Sequence, residues 1–145
     1  MHLVRAGAIL GILYLTVWYG TPAGAAACVD YEPKTVTLTG TISAHVGYGP
    51  PNYGEDPLHD EKGTYWWLDL DHPICVNGNE AYDPYMVPER NVTSMEMVYE
   101  HAYPPHDEWV GHRVSITGTL FHAFNAHHYT DVLINVVEAH RIPND

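Results

Sequence analysis

The feature that most constrains the fold is a near-repeat. VTLTGTI (36–42) and VSITGTL (114–120) alternate apolar residues with Ser or Thr and carry a glycine at the same place. A period of two with many β-branched residues specifies strands with one buried face. Val36, Leu38 and Ile42 fall on one side, as do Val114, Ile116 and Leu120. Gly40 and Gly118 interrupt those inward rows, where glycine usually marks a bulge or a sharp coil.

Three further strands follow from the same pattern. TYWWLDLDHPICV (64–76) puts Trp66, Leu68 and Leu70 inward, with Tyr65, Trp67, Asp69 and Asp71 outward. NVTSMEMVY (91–99) sets Met95 and Met97 on one face, and VLINVVEAHRI (132–142) is the last strand. Residues 46–63 and 77–90 are rich in Gly, Pro and Asn and read as long loops. A helix can begin in 100–109, but Pro104 and Pro105 forbid a long one. The expected fold is all-β: a small five-stranded OB-like barrel whose first strand coils at Gly40 to pair with two neighbours.

The first 27 residues stand apart. Arg5, an apolar run from Ala8 to about Trp18, and a small-residue tract ending at Ala27 have the order of a secretory signal peptide. Residues 28–145 then form one exported domain, with no membrane span left after cleavage. That domain has 18 acidic residues against 5 basic ones once Arg5 is removed, a formal charge of −13. Such a charge repels phosphate backbones, so nucleic acid is excluded as a partner, while a basic protein or another cation is favoured. Two cysteines, Cys28 and Cys75, in an exported chain predict a disulfide. Lipidation of Cys28, which follows AAA, is the alternative.

CVDYEP (28–33), VTLTGTI, GPPNYGE (49–55), YWWLDLDHPICV (65–76), GHRVSITGTLFHA (111–123) and HHYTDVLI (127–134) together make the chain resemble a family of exported bacterial domains of unknown function. The resemblance spans nearly all of 28–145. It implies a bacterial origin, a signal peptide followed by one small β-rich domain, and a periplasmic or cell-surface address. It brings no activity. AYPPHDEW (102–109) departs from the more helical segment expected there in relatives.

No GxSxG, Walker A or HExxH pattern is present. Ser43, Ser94 and Ser115 lie in strands, and Asp69 and Asp71 read as a solvated strand face. The chain is therefore expected to be no enzyme. FHAFNAHH (121–128) concentrates three histidines. His122, His127 and His128 are candidate ligands for zinc or copper, with His45 as a weaker fourth. Strand alternation opposes this, because adjacent His127 and His128 point to opposite faces. The plainer reading has His122 capping the end of the core and the others on a wet loop turning into a last strand near Tyr129.

In OB barrels the loops after the first and fourth strands frame the ligand site. Here they carry Tyr48 and Tyr53 on one side and Phe124, His127, His128 and Tyr129 on the other. The expected function is recognition of a basic periplasmic protein or an envelope ligand at that rim, in its narrowest form as an inhibitor or immunity protein. The alternative is a periplasmic zinc or copper protein.

Overall fold

The computed structural model describes residues 28–99 and 107–143 of the chain. The expected signal peptide lies outside the described residues, as does most of the segment expected to start a helix. Only its end, Asp107–Trp109, is described, as one turn of 3-10 helix.

Among the described residues six strands form: β1 (Val29–Asp30), β2 (Thr35–Tyr48), β3 (Lys62–Asn77), β4 (Glu89–Val98), β5 (Arg113–His122) and β6 (Val132–Arg141). Five of them are the strands expected from alternation. β2, β3 and β4 reach further into the loops than the pattern suggests, so the first long loop shrinks to 49–61 and the second to 78–88. The last strand starts at Val132, as its pattern predicts, after residues 123–131 fold back as a closed turn.

The sixth strand, β1, is too short to carry a pattern. It pairs in parallel with the end of β3, Val29 opposite Val76. This register sets Cys28 beside Cys75, and the two form a disulfide with Cα atoms 4.7 Å apart. The bridge takes up the Cys28 sulfur that lipidation would need.

The other five strands close a ring. β2 pairs antiparallel with β3 and β5, β5 with β6, and β3 with β4. A parallel contact between β4 and β6 completes the circuit. β2 makes this possible by serving two neighbours in succession. Thr35–Thr41 pair with β5 and Gly40–Tyr48 with β3, so the hand-over falls at Gly40 and Thr41. A Cβ on Gly40 would strike the Asp69 carbonyl, and one on Gly118 the Asn135 carbonyl. Both glycines thus permit a backbone approach that no side chain would fit. Opposite Gly118 the β5–β6 register slips by one residue, a bulge that bends β6.

The inward rows fill the ring. Ile42, Leu68, Met95, Ile116, Leu120 and Ile134 are all essentially inaccessible. Each contributes about 1.5–3 kcal/mol relative to exposure. Tyr31 plugs one end; its hydroxyl donates to the Val87 carbonyl at 3.1 Å, and His122 meets its ring edge-on.

A second buried row lies outside the ring. Strand alternation turns Leu133 outward, yet it is 0% exposed and stands apart from the ring's core cluster. Register aligns it with Glu96 on β4 and Phe121 on β5, and Glu96 in turn with Trp67 on β3. Trp67, Glu96, Leu133 and Phe121 therefore run side by side across four strands, beside the turn 123–131.

Candidate functional site

The loop 49–61 is built around one carboxylate. Asp60 is 7% exposed and accepts the amide N–H groups of Asn52 and Gly54, each at 2.7 Å. Burial opposes its charge, but the amides of Gly54 and Asn52 outweigh that and hold its carboxyl below the ordinary carboxylate range. The clamp grips the chain on both sides of Tyr53, whose φ of 52° lies in the left-handed region. For a bulky residue that conformation is costly and persists only where its surroundings impose it. The result is a half-exposed Tyr53 ring that meets His127 edge-on, with centroids 4.6 Å apart.

The turn 123–131 is equally tied. Ala123 N–H donates to the Asp131 carbonyl at 2.9 Å, closing it at the base. Asn125 accepts the His127 amide through its side chain and the His128 amide through its carbonyl. Phe124 N–H donates to His128 Nδ1 at 3.2 Å, which fixes that nitrogen as an acceptor. Burial, then the neighbouring His127, hold His128 below the ordinary imidazole value. Its ring packs against Phe121 and Phe124, at 5.4 and 4.6 Å.

Tyr129 joins the two loops. Its amide donates to Glu96 Oε2 at 2.9 Å and its hydroxyl to the Tyr48 carbonyl at 2.8 Å. Burial and the adjoining Tyr65 push that hydroxyl up to about 12, so it remains a donor at neutral pH. The Tyr65 and Tyr129 rings meet edge-on at 4.7 Å over the bare backbone of Gly47, where a Cβ would collide with both.

All six residues expected at the recognition rim, Tyr48, Tyr53, Phe124, His127, His128 and Tyr129, thus belong to one connected surface. The three expected metal ligands do not converge. His122 has Nε2 at 3.1 Å from Glu89 Oε1 and Nδ1 at 3.0 Å from the Ala123 carbonyl, so both nitrogens are engaged with oxygen acceptors. This is the core-end cap of the plainer reading. His127 faces Tyr53 and His128 faces the phenylalanines. Among the described residues no group of three or more His, Cys, Asp or Glu is placed to hold a metal ion.

His45 lies elsewhere, stacked on Trp67 at 3.9 Å with Nε2 3.0 Å from Ser43 Oγ. Asp71 is likewise occupied, by Arg113 at 2.6 Å.

Sequence reasoning missed Asp60 and Glu96, which position the loops, and Tyr85, Asp83 and Glu32, which share a hollow with Phe124 and His128. The left-handed Tyr53 had a partial signal in the PPNYG stretch. Glu96 had none, since an outward glutamate between two inward methionines reads as solvated.

Residues 100–140 match the family model of a domain of unknown function, DUF4431. The match takes in β5, the turn 123–131 and most of β6, and it agrees with the resemblance to a domain family without a known activity. No curated protein and no solved structure matches the chain.

Proposed function

We propose that the chain is an exported, non-enzymatic binding module of the bacterial envelope, with an OB-like barrel that recognises a protein or envelope ligand through the loops 49–61 and 123–131. The barrel reading is supported by the strand order around the ring and by the division of β2 between β3 and β5. Export is supported by the order of residues 1–27 and by the Cys28–Cys75 bridge, a bond that persists in oxidising compartments. Among the described residues no helix is long and apolar enough to cross a membrane.

The observation that carries the reading is the junction of the two loops. Tyr53 and His127 touch across it, Tyr129 bonds to Tyr48, and Phe124 stands 58% exposed beside them. Fixed, exposed aromatic rings are what protein interfaces use as anchors. The formal charge of −13 on residues 28–145 makes a basic partner the natural choice, a secreted hydrolase among them. The test is capture from a periplasmic extract at low salt, using the native chain and Tyr53→Ala/His127→Ala. A partner retained by the first and lost by the second is expected. Failure of the native chain to retain any partner removes the proposal.

A further inference from the structure

A hollow of about 220 Å³ lies beside the loop junction, at the end of β5. Tyr85, Phe121, Phe124 and His128 give it aromatic walls, and Glu32 and Asp83 give it carboxylates. These come from three separate stretches of chain: the segment after β1, the loop 78–88, and the end of β5 with its turn. We propose that this hollow receives the cationic end of an arginine or lysine side chain carried by a partner.

Four features converge on that ligand. The aromatic faces present negative electrostatic potential and attract cations. His128 accepts a hydrogen bond from Phe124 N–H, so it joins the wall as a neutral ring rather than as a competing charge. Among the described residues neither carboxylate meets a cation: the Asp83 side chain accepts the Tyr85 amide at 2.9 Å, and the Glu32 side chain makes no hydrogen bond or ion pair. The lysine nearest to Glu32 in sequence, Lys34, is already bound to Asp30 at 2.7 Å. Last, the volume is below the roughly 300–1,000 Å³ of pockets that enclose drug-sized ligands, which fits one side-chain end. The same walls would repel phosphates and carboxylates.

This inference rests on the binding-module reading only for the source of the cation; the hollow itself is tested alone. The disulfide-intact chain is titrated with arginine amide and, separately, with citrulline amide, both acetylated at the α-amino group so that the citrulline compound is neutral and of nearly the same shape, and followed by NMR. Arginine amide is expected to move the signals of Tyr85, Phe124 and His128, and citrulline amide to leave them in place. Glu32→Gln/Asp83→Asn preserves shape and removes charge, and it is expected to weaken arginine binding by about tenfold or more while keeping the native spectrum. No movement with arginine amide, or equal binding by the charge-neutral variant, overturns the proposal.

Two further arms separate sources. An arginine-containing peptide binding more tightly than arginine amide supports a partner-borne side chain. Spermidine binding more tightly than the peptide overturns that assignment in favour of a free polyamine. Arginine amide binding is read on the chain alone and partner capture on the extract, so the hollow and the loop-junction reading fail independently.

Discussion

Glu96 offers the sharpest test of how the loops proposed for recognition are held. It is 5% exposed on the outer row, and its carboxylate accepts the Tyr129 amide at 2.9 Å. Burial raises its carboxyl above the reference value of 4.5. Glu96→Gln keeps an oxygen acceptor in place and removes the buried charge. Glu96→Ala leaves the Tyr129 N–H unpaired, at about 1–3 kcal/mol, and deletes a methylene, at about 0.8 kcal/mol. Relief of the buried charge offsets part of this at neutral pH, for a net loss of about 1–3 kcal/mol, or roughly 4–10 °C in a domain of this size.

The sign of the pH dependence follows from the raised carboxyl. Its folded form holds the proton more tightly than its unfolded form, so its contribution is full below 4.5 and is lost as pH rises through the higher folded value. Thermal denaturation of native, Gln and Ala chains from pH 4 to 8 reads this out. Glu96→Gln should match or exceed the native chain at neutral pH, and its advantage should grow with pH. The Ala chain should be weakest relative to native at the acid end, where the native carboxyl is neutral. A Gln variant less stable than native at neutral pH, with an unchanged pH slope, would refute the reasoning.

Asp60→Ala should speed hydrogen exchange at Asn52 and Gly54 and weaken the Tyr53–His127 contact, while leaving exchange in β5 and β6 unchanged. Because the Asp60 carboxyl is held low, its contribution is present above the reference value of 3.8 and lost as pH falls through the folded value, so the native loop should loosen only in stronger acid. Cys75→Ser opens a loop of 47 residues and should cost about 4 kcal/mol by chain entropy, measured by denaturant unfolding with the native chain as reference. Zinc or copper titration should give weak binding indifferent to His127→Ala/His128→Ala; tight binding lost in that variant would favour the metal reading.

Strand positions were legible because burial on one face writes period two into the sequence. VTLTGTI, VSITGTL and the Trp66, Leu68, Leu70 row all sit as alternation predicts. The disulfide followed from two cysteines and an expected export signal, although the route that joins them, a two-residue parallel strand, is too short to leave a pattern. Alternation also set His127 and His128 apart, and the structure turns His127 toward Tyr53 and His128 toward the phenylalanines. It could not reveal the outer row. Glu96 is held by a turn remote from it in sequence, and a period-two reading assigns every outward residue, Leu133 included, to solvent. The hollow was hidden for the same reason: Glu32, Asp83 and Phe124 are brought together only when the ring has closed.

The outer row has a consequence for how fast this protein would let go of a ligand. The turn 123–131 is fastened through Tyr129 and Thr130 to Glu96, beside a leucine that is already dry. Its shape is therefore set when the chain folds and not when a partner arrives. A partner meeting a rigid surface loses little conformational freedom on docking. Variants that loosen the turn without touching the partner should then leave encounter rates nearly constant and shorten the lifetime of the complex.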